Sequence, residues 1–312
     1  MSESDRTLGI PDFAEAFGAD AGEVSRHCGE LIRGLNLDYR ICSRESREQI
    51  LLDAIRKCDR GELTVSGAHR KPDWRRGWAE ILREFRDSGG NLSTLTPKDV
   101  HRDRPMRYHG EYIEADSSTF ERDFTVVFRH WLYGAYFRPY GSIYEFGCGT
   151  GHNLALMAQL LRGKPLVGVD WVPESQTLLG EISARYGWPL GGRSFDLFEP
   201  DHNLKLPPGT VAYTSSALEQ LGRGFGPFLD YLMAMRPALC VNVECILEYY
   251  DETKLFDYAA IRYHRARNYL DGFLTRLREL ERERAIEIVA TKRSGFGNLY
   301  HEGTMYVIWR IV

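Results

Sequence analysis

The chain has 312 residues, 43% hydrophobic and 27% charged, and no apolar run approaches the ~20 residues of a membrane span. Forty basic against forty-four acidic side chains leave a formal charge of -4, so no global field draws the chain to nucleic acid or to an anionic membrane. A disordered or fibrous chain and a bulk polyanion partner are thereby excluded, and at this length one core with an appendage is expected.

The first residues, MSESDRTLGIPDF, are acidic where a secretory signal has a basic end and an apolar stretch, which predicts a cytoplasmic protein. Residues 1–115 are expected to form a helical N-terminal region. Ile50, Leu51, Ala54 and Ile55 recur at helical spacing within 47–58, and Trp74, Trp78, Ile81, Leu82 and Phe85 do so within 73–85. The polar stretch from Ser88 to Glu114 has no sustained period and is expected to be a long crossing loop that ends this region. A helix over 118–137 then opens the second unit, 116–312.

From Ser142 onward short apolar runs alternate with longer helical ones. Strands are predicted at 142–146, 166–170, 210–214, 238–244, 285–293 and 304–312, and helices at 152–162, 173–186, 225–235 and 255–283. Strand–helix alternation means a parallel sheet covered on both faces. Only SGFGNLYHEG separates the last two strands, too little for a crossover helix, so they must form a hairpin with one strand antiparallel.

Six cysteines (Cys28, Cys42, Cys58, Cys148, Cys240, Cys245) are scattered without a CxxC or a Cys/His run. They read as reduced, buried thiols, with neither a disulfide framework nor a zinc site, and no metal is expected.

The most informative segment is IYEFGCGTGHNLALMAQLL, a strand, a glycine turn and a helix. Gly147, Gly149 and Gly151 let a ligand approach backbone amides that a Cβ would block. Asp170 ends the next strand, placed to accept from ribose hydroxyls. A nicotinamide dinucleotide needs GxGxxG with its pyrophosphate on the helix N-terminus. Here the loop is GxGxG, and Glu145 just before it would repel a pyrophosphate but suit a ligand with an ammonium and a sulfonium. S-adenosylmethionine has both.

EFGCGTG (145–151), Asp170 and the C-terminal hairpin resemble the class I S-adenosylmethionine-dependent methyltransferases, over about residues 140–312. The resemblance implies an α/β, Rossmann-like sheet of seven strands whose last strand is antiparallel, and the missing strand is expected near 190–195. It implies S-adenosylmethionine as cofactor, with Gly147, Cys148 and Gly149 walling its methionine part and Gly151 also at the cofactor. Glu145 then serves the ammonium, Asp170 the ribose, and Trp171, Asp196 and Leu197 the adenine, with Thr214 also at the cofactor.

Strand four runs into TSSALEQL, without the Asn/Asp-Pro-Pro-Tyr/Phe motif of nucleic-acid amino methylators or the paired metal ligands of catechol-type enzymes. The pattern resembles small-molecule methyltransferases, loosely those of bacterial sugar and natural-product biosynthesis. This implies methyl transfer to a hydroxyl of a polar metabolite, with a small-molecule rather than nucleic-acid or membrane partner. An amine acceptor and a silent cofactor-binding protein stay open as alternatives. Where the acceptor is a hydroxyl its proton must be removed. His264, His301 and Glu244 are the expected bases, and Tyr112, Arg265, Asn268 and Tyr300 the expected substrate contacts, with His264 and Asn268 four apart on one helical face. Ser215 and Glu219 could also face the cofactor. The N-terminal region would supply a lid, substrate contacts or a homodimer interface.

Overall fold

The computed structural model describes residues 6–96 and 105–312. Its N-terminal part holds strand β1 (Arg6–Thr7), helices α1 (Ile10–Phe17) and α2 (Ala21–Arg33), β2 (Asp38–Ile41), α3 (Arg44–Asp59) and α4 (Lys71–Asp87). The stretch expected as a crossing loop contains a 3₁₀ turn over Leu92–Leu95 and strands β3 (Met106–Tyr108) and β4 (Glu111–Ala115); its residues 97–104 lie outside the described ones. These strands pair in RYHGEYI through a turn at His109 and Gly110, both at positive φ, a hairpin too short to show a two-residue period.

Helix α5 (Phe120–Leu132) continues into a π-turn (Tyr133–Phe137) and buries Phe120, Phe124, Val127, Phe128 and Trp131 at three-to-four spacing. The alternating part follows: β5 (Ser142–Phe146), α6 (His152–Leu160), β6 (Leu166–Asp170), α7 (Pro173–Tyr186), β7 (Leu190–Ser194), β8 (Thr210–Ser215), α8 (Gly226–Met235), β9 (Leu239–Glu244), α9 (Leu255–Arg267), α10 (Phe273–Arg282), β10 (Ile286–Arg293), β11 (Phe296–Gly297) and β12 (Met305–Ile311). The single helix expected over 255–283 is broken. Asn268 adopts the left-handed conformation at φ 53° and Gly272 follows at φ 88°, so the chain turns and restarts.

Among the described residues seven strands form the main sheet, in the order β10-β12-β9-β8-β5-β6-β7. Pairing among β9, β8, β5, β6 and β7 is parallel, and β12 is antiparallel to both β9 and β10. The strand order reverses at β5, which sends its neighbours to opposite sides, and a cleft opens beyond the carboxyl end of that strand.

Alternation divides the core. Ile143, Val211, Tyr213, Val241 and Ile308 belong to one cluster, shared with Phe13 and Phe17 of α1 and the aromatic stripe of α5. Phe146, Ala212, Cys240, Val307 and Trp309 point the other way, onto α8 and α10. A second sheet, ordered β1-β2-β4-β3-β11, is antiparallel throughout, and β11 comes from the loop between β10 and β12. Phe296 thus pairs with Tyr108 and Gly297 with Arg107, which ties the C-terminal loop to the N-terminal strands.

Candidate active site

A cavity of about 650 Å³ lies at the carboxyl ends of β5, β8 and β9. One side is the glycine turn. Gly147 sits at φ 73°, where an added Cβ would stand 2.6 Å from the Ala217 Cβ, so both conformation and space demand glycine. Gly149 is walled by the Trp78 ring of α4, 3.0 Å from where its Cβ would be. Gly149 N–H donates to Asp170 Oδ2 at 2.9 Å and Val172 N–H to Oδ1 at 3.0 Å, so the carboxylate at the end of β6 braces the turn. Burial raises the Asp170 pKa to about 6 despite those bonds.

Glu145 is buried at the end of β5 and faces this turn. Its Oε1 accepts from Asn153 Nδ2 at 2.6 Å, whereas Oε2 is buried with no hydrogen-bond partner. Burial is the largest cause lifting its pKa to about 8, against the pull of Asn153 and of Arg129. A buried acceptor without a donor is costly, and this one borders a cavity. Arg129 Nη1 donates to His152 Nε2 at 2.8 Å, and burial holds that imidazole neutral with its pKa down at about 3.

The opposite wall is assembled from distant segments: Ser215 at the end of β8 with Ser216 and Glu219 after it, Tyr263, Arg267 and Tyr269 around the end of α9, and Asn298, Tyr300 and His301 before β12. His301 Nδ1 lies 3.1 Å from His264 Nε2, and Tyr300 stacks on Tyr263 with centroids 4.7 Å apart. Desolvation, then Arg107, brings the His264 pKa down to about 3, so this ring is neutral.

The loop carrying His301 hangs on buried charges. Arg293 donates to both carboxylate oxygens of Glu302 and, at 2.8 and 2.6 Å, to those of Asp257. Arg107, fully buried, lies 3.7 Å from Glu302, donates to the Phe256 carbonyl at 2.8 Å and stacks on the Phe256 ring at 3.5 Å.

Of the residues expected at the site, Glu145, Gly147, Cys148, Gly149, Tyr300 and His301 line the cavity. Gly151, φ 76°, caps α6 behind them. Thr214 is buried in the sheet, its hydroxyl accepting from Asn242 at 2.9 Å. Trp171, Asp196 and Leu197 are not in the lining: Leu197 packs beside Gly147, while Lys71 at the start of α4 pairs with Asp196, its ammonium 5.4 Å over the Trp171 ring. Glu244, fully buried, accepts from the amides of Ala217 and Glu219, so its carboxylate holds the turn after β8; burial and Glu219 raise its pKa to about 8.

Tyr112 is buried and donates to the Leu299 carbonyl at 3.0 Å, which places it behind the loop and outside the lining. The expectation that His264 and Asn268 share a helical face fails because α9 ends at Arg267. Asn268 caps the helix and donates to the Ser66 carbonyl, and Arg265 is an exposed partner of Glu252. The inward arginine is Arg267, over the Tyr269 ring at 4.9 Å. A helix end inside the predicted span would have revealed it, since Asn268 followed by Gly272 is a stop signal. Arg129, Asn153 and Trp78, also in the lining, carried no motif. All six cysteines are buried and free, as expected, and no described helix is long and apolar enough to cross a membrane.

No family model and no curated protein sequence matches this chain. Solved structures similar to it include an O-methyltransferase from neocarzinostatin biosynthesis, 13% identical, covering 62% of this chain and 58% of that one with a TM-score of 0.40. Human N-acetylserotonin methyltransferase is 12% identical over 62% and 58% of the two chains, with a TM-score of 0.40. Magnesium protoporphyrin IX methyltransferase from Synechocystis is 12% identical over 60% and 78%, with a TM-score of 0.41. The chain thus spans 58% of the length of the first two. Its own strand pairing assigns the fold: a seven-stranded Rossmann-like sheet with an antiparallel last strand, the sheet that the resemblance to class I methyltransferases implied.

Proposed function

We propose that the chain is an S-adenosylmethionine-dependent methyltransferase acting on a hydroxyl of a polar small metabolite, such as a sugar or natural-product intermediate. The observation that carries the reading is Glu145 Oε2, a buried acceptor without a donor, beside a glycine turn and on a cavity. A primary ammonium satisfies it by favouring its ionised form, whereas a pyrophosphate offers it no donor. When bound, the cofactor supplies a methyl group on a sulfonium, and transfer is an in-line displacement.

In this reading Gly147, Cys148 and Gly149 wall the methionine part, and Asp170 accepts from the ribose while still bracing the turn. Trp171, Asp196 and Leu197 take the adenine once Lys71 leaves Asp196. The acceptor lies against Tyr300, Tyr263 and Arg267, and its proton passes to His301 or Glu219, the imidazole and the carboxylate of that wall. Residues up to 115 act as the cover, since Trp78 closes the glycine turn and β3 holds the acceptor loop.

Calorimetric titration with S-adenosylmethionine, its demethylated product and NAD tests the donor. Saturable binding of the first two, weakened in Glu145→Gln and Asp170→Ala, is expected; binding of NAD alone would overturn the reading. Tight cofactor binding with no turnover on a broad panel of hydroxyl acceptors would favour a silent binding protein, and turnover on amines alone an N-methyltransferase.

A further inference from the structure

The acceptor wall gathers a group of side chains that proton removal alone does not use. His301 lines the cavity, and behind it Cys245 and His264 are each 1% exposed. One ligand atom from each of Cys245, His264 and His301 lies within 4.8 Å of the others, and among the described residues no other three His, Cys, Asp or Glu side chains converge in this way. The His264 Nε2 and His301 Nδ1 atoms are 3.1 Å apart. Two imidazole nitrogens on a tetrahedral zinc, each about 2.0–2.1 Å from it, stand roughly 3.4 Å apart, so the rings need only part slightly to admit the ion. Zinc on these two nitrogens leaves His264 Nδ1, on the far side of that ring, buried without a hydrogen-bond partner as it is now. The cysteine thiol donates to Glu219 Oε2 at 3.3 Å, which gives the proton displaced from sulfur an acceptor.

We propose that Cys245, His264 and His301 bind one zinc ion whose fourth position opens on the cavity. One thiolate and two neutral imidazoles form a set that zinc takes readily, and three protein ligands with an open position are the arrangement of catalytic rather than structural zinc. On binding, the Cys245 S–H bond breaks, its electron pair goes to the metal and its proton to Glu219 or out through the cavity. An acceptor hydroxyl or thiol bound at the fourth position is held as its anion, so His301 serves as ligand and the acceptor proton goes to Glu219 or to water. The use of the ion in catalysis rests on the methyltransferase reading; its binding does not.

The test uses the untagged full chain, stripped with chelator and titrated with zinc and with cobalt(II). Expected are one equivalent of zinc, a thiolate-to-cobalt charge-transfer band, and tetrahedral cobalt absorption. Cys245→Ser should remove the charge-transfer band, and Cys245→Ser, His264→Asn and His301→Asn should each weaken zinc by more than about 100-fold, beyond what outer-shell partners cost. Zinc should also raise the melting temperature of the native chain but not of the variants, a readout available even where a variant is less stable. No stoichiometric binding, or binding that none of the three substitutions weakens, overturns the site. S-adenosylmethionine titrated into the metal-free protein separates the two ideas: saturable binding there upholds the donor reading whichever way zinc falls.

Discussion

The two walls of the cavity are built in opposite ways. The glycine-turn wall centres on one continuous stretch, residues 145–153, flanked by Trp78 of α4 and by α5 from Glu121 to Arg129, and its key groups are backbone amides and the carboxylate at the end of the neighbouring strand β6. The opposite wall, the proposed acceptor side, draws on residues 215–219, 263–269 and 298–304, held by Arg107 from the N-terminal strands and by the Arg293 pairs with Asp257 and Glu302. A contiguous wall is specified locally and withstands change elsewhere, whereas an assembled wall depends on charges that touch no ligand. The largest test of that contrast is Glu302→Ala, which leaves Arg107 and Arg293 short of a buried carboxylate. It is expected to cost about 3–5 kcal/mol, read as a lower urea midpoint, and to abolish turnover. A loss under about 1 kcal/mol would mean that the acceptor loop is held by packing alone.

On the other wall Glu145→Gln keeps the shape and removes the charge. It should weaken S-adenosylmethionine and its demethylated product alike, by about 1.5–3 kcal/mol, since both carry the ammonium. The pH dependence has a definite sign. The free protein holds the Glu145 proton up to about pH 8, and an ammonium favours the ionised carboxylate. Binding therefore expels a proton, and affinity rises as the pH climbs toward 8 and falls again once the ligand's own ammonium loses its proton. Calorimetry in buffers of different ionisation enthalpy would read that proton, and Glu145→Gln should lose it. Gly147→Ala forces a side chain into a left-handed conformation against Ala217, at a cost of about 1–3 kcal/mol. Its effect should fall on cofactor affinity while the acceptor loop, followed by hydrogen exchange at 294–304, is unmoved; a change there would show the walls to be coupled.

The smallest effect is expected where the walls meet the cover. Lys71 holds Asp196 and stands over Trp171, so Lys71→Met removes a contact that an adenine would have to displace. Cofactor binding should tighten a few-fold, within the ~1 kcal/mol typical of a partly exposed ion pair. Tryptophan fluorescence of Trp171 and Trp78 reports it, and weaker binding would place the adenine elsewhere.

Legibility followed the same division. Strands 142–146 and 166–170 and the helix over 173–186 stand where their patterns put them, because a short apolar run after Gly141 or Pro165, or a helix opened by Pro173 and closed by Gly187, is decided by near neighbours. The edge strand β7, LGGRS, has little apolar signal of its own and was expected only through the resemblance. The crossing loop differs for a related reason: strands of three and five residues in MRYHGEYIEA exist because β2 and β11 pair with them.

By itself, then, the sequence determined the parallel sheet with its antiparallel hairpin, the glycine turn, and the acid at the end of each of the first two strands, all features whose causes lie within a few residues. Only the tertiary structure decided that Glu145 has an unanswered oxygen, that Tyr112 and Glu244 support the site from behind, and that Arg267 rather than Arg265 turns inward. The same holds for Cys245, His264 and His301, which no spacing rule joins. They converge because β9, α9 and the β10–β12 loop end at one edge of the cavity, and burial there takes away the water that would otherwise satisfy them.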